Sequence, residues 1–292
     1  MTVKFNVSVV VTCYNGSETI SETIDSILDQ SIKPTEIIVV DDGSTDSSIE
    51  VLKRYEGQIR IIERENGGPS RARNTGIELA NGPWIALCDG DDLWHRGKLE
   101  QQINTAKENP DISIFATSWR RSFHELSLDN KKHHLVDRQR LLKLNQFQTS
   151  TVLIKKSIFD EVGFFDPTVD VAEDWEMWIR AALISKIYVD DAPLVMYRDS
   201  PKGVSKDLTT LFKKCSLVME KAFDSGGVSP SQLATLLAWH RQRILIGQIL
   251  TKNIKPAIEM ATITLRSTSP LHNATALTKY TIPFLLDRFT SN

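Results

Sequence analysis

Ile85-Ala86-Leu87-Cys88-Asp89-Gly90-Asp91-Asp92 joins a short apolar run to a corner rich in carboxylates. Working outward, the same pattern occurs twice more, as Val9-Val10-Val11-Thr12-Cys13-Tyr14-Asn15 and as Ile38-Val39-Val40-Asp41-Asp42-Gly43-Ser44. Short apolar runs of this kind read as strands buried on both faces, as in a parallel sheet. Each polar corner then falls at the carboxyl end of its strand, where open α/β sheets bind their ligands. Carboxylates gathered in such a crevice point to a hard cation, Mg²⁺ or Mn²⁺, shared with a phosphate. The residues by themselves therefore describe an enzyme that handles a metal-bound nucleotide.

Helical segments alternate with these strands. Ile20, Ile24, Ile27 and Leu28 share one face of a helix that Ser17 is placed to cap. Ser47 with Glu50 matches a capping box opening a helix through Tyr55. Arg60 to Glu63 reads as a short strand, and Pro69 suits the first turn of a helix running to Ala80. This alternation predicts a mostly parallel sheet with right-handed crossovers. Farther on, Lys98 to Asn109 is a predicted helix, and Ile112 to Ser118 and Ser150 to Ile154 are predicted strands. Arg120 to Lys143, with Lys131-Lys132-His133-His134 at its middle, reads as a polar loop or flap. Asp174 to Ser185 has helical spacing, with Trp175, Trp178, Ile179 and Ala182 on one face. Lys186 to Val189 and Leu194 to Tyr197 read as two strands, and from about Leu208 the chain reads as helical.

The chain has 292 residues, enough for one large domain or a domain with an extension. Its hydrophobic share of 41% and charged share of 25% are those of an ordinary globular protein. Lys+Arg 35 against Asp+Glu 37 gives no reason to expect nonspecific nucleic-acid binding. Cys13, Cys88 and Cys215 are far apart and form no CxxC pair, so they suit burial in a reducing cytoplasm rather than a zinc site or disulfide framework. The first strand begins within a few residues of the N-terminus, so no signal peptide is expected, and no apolar stretch is long enough to span a bilayer.

Taken in order, Val7-Ser8-Val9-Val10-Val11-Thr12-Cys13-Tyr14-Asn15, the Asp41-Asp42-Gly43-Ser44-Thr45-Asp46 corner, Asn66 to Gly76, Asp89-Gly90-Asp91 and Glu173-Asp174 resemble a family 2 glycosyltransferase of the A-type nucleotide-sugar fold. The resemblance implies an α/β fold with a mostly parallel central sheet and flanking helices, and a catalytic domain over 1–207. Within it a nucleotide-binding half spans about 1–105 and an acceptor half about 106–207; the stretch 208–292 matches no motif of the family and reads from its own residues as a helical C-terminal extension. It implies an inverting transferase that uses a nucleoside diphosphate sugar, UDP-linked by preference, and Mn²⁺ or Mg²⁺. The acceptor would be a sugar or a lipid-linked glycan, in surface polysaccharide or glycoconjugate synthesis. The location expected is cytoplasmic; the helical tail is expected to pack on its own catalytic domain or to form a homodimer, with peripheral docking at the inner membrane face through its basic residues as the alternative.

Onto these positions the resemblance carries particular roles. Asp91 is the direct metal ligand, and Asp89 lies nearer the ribose and the metal's waters. Bare, the element is also a turn rich in Asp and Gly. Thr12 and Asp42 are nucleobase contacts, a carboxylate suiting the imide N–H of uracil. Asp41 would touch base or ribose, with an Asx turn as its structural alternative. Tyr14 lines the base pocket or packs. Arg73, more than Arg71, would reach phosphate or base oxygens. Asp174 is the base that takes the acceptor hydroxyl proton, beside the substrate-binding Glu173, with a bare N-cap as its alternative. Trp175 and Trp178 suit the core, or acceptor stacking for one of them. His133 and His134 lack ligand spacing, the role of His95 is open, and Arg198, Ser200 and Ser205 fall on a segment that in relatives closes over the diphosphate. A sugar nucleotidyltransferase is the rival enzyme, but no Gly-rich loop with trailing Arg and Lys lies near the first strand. A non-catalytic scaffold is the rival outside enzymes, and the intact Asp89, Asp91 and Asp174 argue against it.

Overall fold

The computed structural model describes residues 5–129, 132–169, 172–198, 208–250, 257–258, 260–262, 264 and 269–283. The chain divides into two compact units, Met1–Leu141 with Asn145–Ser200, and Leu142–Leu144 with Pro201–Asn292.

The first unit is built on one sheet. Its strands are β1 (Val7–Cys13), β2 (Glu36–Asp41), β3 (Arg60–Glu63), β4 (Trp84–Asp89), β5 (Leu93–Trp94), β6 (Ile114–Arg120), β7 (His133–Val136), β8 (Leu153–Lys155) and β9 (Ile187–Met196). They lie in the order β3-β2-β1-β4-β8-β6-β9-β5, with β7 also on β9. The β3-β2-β1-β4 block is wholly parallel, and Val9, Val10, Val11, Ile38, Val39, Val40, Ile85, Ala86 and Leu87 are buried in it. Strands buried on both faces are what the uninterrupted apolar runs predict. Beyond β4 the sheet turns mixed: β8 is antiparallel to β4 and β6, β9 is parallel to β6, and β5 and β7 are antiparallel to β9. The mostly parallel expectation thus describes the first block, and the whole sheet is mixed.

The helices are α1 (Ile20–Leu28), α2 (Ser48–Lys53), α3 (Pro69–Leu79), α4 (Lys98–Glu108), α5 (Arg138–Leu141), α6 (Ser157–Val162) and α7 (Glu173–Ala181). Two predicted caps are replaced. α1 begins at Ile20 rather than behind Ser17, and the Thr19 hydroxyl at its start donates to Gly90 O at 3.0 Å. Ser47 makes no capping bond to α2, and Asp46 instead accepts from Ser48 N at 3.0 Å. The predicted flap is also corrected, since His133 to Val136 form β7 and Arg138 to Leu141 form α5. The two strands expected after Lys186 are one, β9, with a register shift against β6 where Ser118 faces Pro193. A bulge is where a strand tolerates proline.

In the second unit α8 (Leu208–Asp224) packs on α9 (Pro230–Leu250); Cys215, Val218, Met219 and Ala222 of the first and Leu236, Ala238, Trp239 and Ile244 of the second are buried. A later helix, Pro270–Ala276, starts at Pro270 with Ser269 as its cap, accepting from His272 N. No described helix is long and apolar enough to cross a membrane.

Candidate active site

Three strand ends build the site. β1 and β2 end side by side, with Cys13 opposite Asp41, and β1 and β4 pair Thr12 with Asp89. Parallel register therefore places the three polar corners next to one another.

The first two corners are stitched together. Asn15, at a φ of 49°, donates its N–H to Ser44 Oγ at 2.9 Å and accepts from Thr45 N at 2.8 Å. Asn enters this left-handed region more readily than most residues. Gly16 N donates to Ser48 Oγ at 2.8 Å, and Ser17 N to Asp46 at 3.1 Å. Asp41 is buried and accepts from Ser44 N and Ser44 Oγ, the turn named as its structural alternative. Asp42 is also buried; it accepts from Gly67 N, from Gly68 N at 2.7 Å and from the Arg64 guanidinium. Arg64 was not singled out by its sequence. The parallel β2-β3 pairing, with Asp41 opposite Glu63, is the signal that places Arg64 beside Asp42. Tyr14 stands 55% exposed beyond β1.

The third corner is clamped from three segments of the chain. Asp89 N donates to Ser150 Oγ at 2.9 Å, from the 3₁₀ turn Thr149–Thr151. Gly90 O accepts from Thr19, and Asp91 O accepts from Arg198 Nε at 2.9 Å. Asp92 is fully buried; it accepts from Ser150 Oγ and from Arg198 N at 3.0 Å. Gly90 is required by close approach, because a Cβ there would sit 2.7 Å from Thr12 O. Burial, then repulsion from Asp89 and Asp91, pushes the Asp92 carboxyl well above its usual range, so Asp92 is a structural member of the corner.

Asp91 differs from its neighbours. Its carboxylate is half-buried, and burial and the nearby Asp89 push it up to about 6. A half-buried carboxylate that repels its neighbour is a site a divalent cation relieves. Among the described residues no group of three or more His, Cys, Asp and Glu side chains is placed to hold a metal alone. That donor set suits Mg²⁺ or Mn²⁺ held by one or two carboxylates with substrate phosphates.

Arg73 is corrected. It is 6% exposed, and its two terminal nitrogens donate to Asp89 Oδ1 at 2.8 Å and to Glu173 Oε1 at 2.7 Å. Both terminal nitrogens of the guanidinium are thus committed to carboxylates. Thr12 Oγ1 donates to the same Asp89 oxygen at 3.3 Å. Arg71 is exposed, and its nearest bond is to Gly67 O at 3.5 Å.

Asp174 follows Glu173 directly but is not the N-cap. Ala172 holds that position, and Asp174 lies in the first turn of α7. Its carboxylate accepts from Trp175 N at 2.6 Å, Asn145 Nδ2 at 2.9 Å and Thr149 Oγ1 at 3.4 Å. Burial first, and Glu173 second, push it up to about 6, against Arg73 and these donors. Burial thus outweighs the helix N-terminus, which favours the charged form. A carboxylate poised near 6 suits a general base. Trp175 and Trp178 are both core residues; Trp175 Nε1 donates to Leu141 O at 2.6 Å, and Trp178 packs on Phe147 and Phe165. His133 stacks on Tyr188, His134 Nδ1 lies 2.9 Å from Asp191, and His95 Nδ1 accepts from Gly97 N at 3.0 Å, so all three serve local structure. Ser200 and Ser205 lie outside the described residues.

A sequence model described as Glycosyl transferase family 2 matches residues 8–165, more than half of the chain. An uncharacterized glycosyltransferase of Rickettsia prowazekii (strain Madrid E) is 31% identical over 208 residues, which make up 66% of this chain and 63% of that protein. The match thus spans less than two thirds of the relative's length. Among solved structures, S. aureus TarS 1-349 in complex with UDP-GlcNAc is similar with a TM-score of 0.70 at 18% identity, over 94% of this chain and 84% of that one. The mannosyltransferase PcManGT from Pyrobaculum calidifontis, in complex with GDP-Man and Mn²⁺, is similar with a TM-score of 0.63 at 19% identity, over 97% of this chain and 81% of that one. At these identities the likeness is one of fold.

Proposed function

Because the chain belongs to glycosyl transferase family 2, we propose that it moves a sugar from a nucleoside diphosphate sugar, UDP-linked by preference, to a hydroxyl acceptor with inversion at the anomeric carbon. The observation that carries this reading is one hydrogen-bonded chain, Thr12–Asp89–Arg73–Glu173, that ties the ends of β1 and β4 through α3 to the start of α7, with the half-buried Asp174 next along. Donor corner and base then share one framework. The nucleotide-binding similar structures, with UDP-GlcNAc in one and GDP-Man and Mn²⁺ in the other, agree with such a donor.

In this reading the β1 and β2 corners, with Thr12, Tyr14, Asp41 and Asp42, form the nucleoside end of the site. Asp41 and Asp42 work there chiefly by shaping the turns that their buried carboxylates hold. Asp91, with Asp89 beside it, would hold the divalent ion. When bound, that ion supplies Lewis-acid neutralisation of the charge that grows on the departing diphosphate. Asp174 takes the acceptor hydroxyl proton as that oxygen attacks the anomeric carbon from the side opposite the leaving group. Asn145, Thr149 and Trp175 N fix the direction in which its carboxylate faces. The catalytic part is placed in 1–207, and the product class in surface polysaccharide or glycoconjugate.

Calorimetric titration of nucleoside diphosphates, with and without Mn²⁺, tests the donor site. Metal-dependent UDP binding in the wild type and its loss in Asp91→Ala are expected. Binding of no nucleotide, or unchanged binding in Asp91→Ala, would sink the assignment.

A further inference from the structure

We infer that Arg73 and Glu173 are positioning residues, a buried strut that sets the base-carrying start of α7 against the donor corner at Asp89. The inference rests on the transferase reading above and goes beyond it. It gives these two residues a role in holding the machinery rather than in touching substrate.

The strut joins parts of the chain that are distant in sequence. Arg73 comes from α3, Asp89 from the end of β4 and Glu173 from the first position of α7. Arg73 and Glu173 are 6% and 7% exposed. A planar guanidinium fixes both the spacing and the plane of two carboxylates, which a lysine ammonium does not. The strut is roofed and stapled. Arg73 Cζ lies 5.5 Å from the centroid of the Phe165 ring. Asn74, the next residue, exchanges two hydrogen bonds with the Phe165 backbone at 2.8 and 3.0 Å. Ser70 Oγ reaches Asp166 O at 3.4 Å. α3 is thus tied to the segment leading toward α7 at three successive places, with the ion pairs at the centre.

Each end of the strut lies close to a group assigned to the chemistry. Asp89 is two residues before Asp91, and Glu173 is bonded through the backbone to Asp174. A shift of about 1 Å in such a relation costs on the order of 100-fold in rate. The strut also shapes the electrostatics of Asp174. The charges facing it are Glu173 on its own helix, which raises it, and Arg73 on α3, which lowers it; Asn145 and Thr149 on the other side are neutral donors.

Glu173→Ala removes one end of the strut, and Glu173→Gln keeps an oxygen able to accept from Arg73 while removing the charge. Expected for Glu173→Ala is a fall in kcat of at least about 10-fold, on the scale of a sub-ångström misplacement, with metal-dependent UDP affinity and donor KM kept. Glu173→Gln restores most of the turnover and moves the acid limb of its pH profile to lower pH. Arg73→Lys, which keeps the charge and loses the fork, shows the same kcat loss and covers the case in which Glu173→Ala does not fold. Glu173→Gln as impaired as Glu173→Ala would mark a charge contact with substrate and overturn the strut. So would wild-type kcat in both Glu173→Ala and Arg73→Lys. The ligand-free protein separates this inference from the reading beneath it. There the Asp174 carboxyl, followed by ¹³C NMR and assigned with Asp174→Asn, titrates at lower pH in Glu173→Gln. An unmoved midpoint overturns the strut, whereas failure of the wild type to bind any nucleoside diphosphate overturns only the transferase reading.

Discussion

Asp174 lies where two effects on a carboxylate oppose each other, and the outcome sets a pH dependence. The first turn of a helix and three hydrogen-bond donors favour the anion, while burial and Glu173 disfavour it and hold the group up at about 6. A base works only when deprotonated. Turnover at saturating substrate is therefore expected to fall as the pH drops through about 6 and to level off above it. Asp174→Asn should reduce kcat by about 10²- to 10⁴-fold, the usual scale for a positioned base, with UDP affinity unchanged by calorimetry. An Asn variant that retained both rate and acid limb would assign the base elsewhere. At this scale the sequence is informative about which residues gather and less so about what each one faces. The gathering of Asp89 and Asp91 at a strand end was legible as a local pattern, whereas Asp174 was singled out by the family resemblance, its local pattern reading equally as an N-cap. The partner of Arg73 was not legible, because Glu173 lies 100 residues away and an arginine in a loop-to-helix segment reads as exposed. Lys98 is similarly hidden. It is fully buried against the Trp94 ring and bonded to Gln102, where lysine is ordinarily a surface residue.

α3 shows how an element carries such a residue into place. Its Gly76 lies against the β1-β2 face, where an added Cβ would stand 2.3 Å from Val10 Cγ1 and 3.2 Å from Val40 Cγ2. Val10 is itself buried at the centre of the parallel block, so the helix rather than the strand must give way. Gly76→Ala should therefore destabilise the protein by about 1–3 kcal/mol, the usual effect of overpacking, read as a lower urea midpoint. Arg73 lies three residues before Gly76 on the same face of the helix. Lifting α3 off the sheet should thus lower kcat as well, and a Gly76→Ala protein with wild-type midpoint and wild-type rate would contradict this packing. The element scale is where the pattern of apolar runs was most reliable: β1, β2 and β4 follow from their burial and α3 from Pro69 at its start. Element starts were less legible. Thr19 and Ser47 make no cap bonds to their own helices; the Thr19 hydroxyl serves the Gly90 carbonyl instead, and Asp46 replaces Ser47. A hydroxyl near a helix start has local and distant acceptors of similar strength, and only the assembled corners decide between them. The polarity of Arg120 to Lys143 hid β7 for a related reason. It is an edge strand paired only with β9, so half of its residues face solvent and its alternation is weak.

At the scale of the whole molecule, the residues assigned to donor, metal and base all belong to the first compact unit. The boundary expected at 207/208 marks where the family resemblance ends and helical patterning takes over, whereas the compact units follow proximity and assign Leu142–Leu144 to the second unit. Three residues returning to a unit far along the chain leave no mark in a motif match or in helical patterning. The assignment of the whole site to the first unit predicts where ligand stabilisation acts. A ligand that binds only the folded state at 100 times its Kd stabilises it by about 2.7 kcal/mol. Trp84, Trp94, Trp119, Trp175 and Trp178 lie in the first unit and Trp239 in the second, so Trp239→Phe leaves tryptophan emission reporting the first unit alone. In that variant, UDP with Mn²⁺ should raise the denaturation midpoint seen by tryptophan emission, and adding Asp91→Ala should abolish the rise. An unmoved midpoint in a Trp239→Phe protein that still binds UDP by calorimetry would mean that the nucleotide is held outside the first unit. The strand-end corners would then have to give up the donor site, because a ligand cannot bind the folded form of a unit without stabilising it.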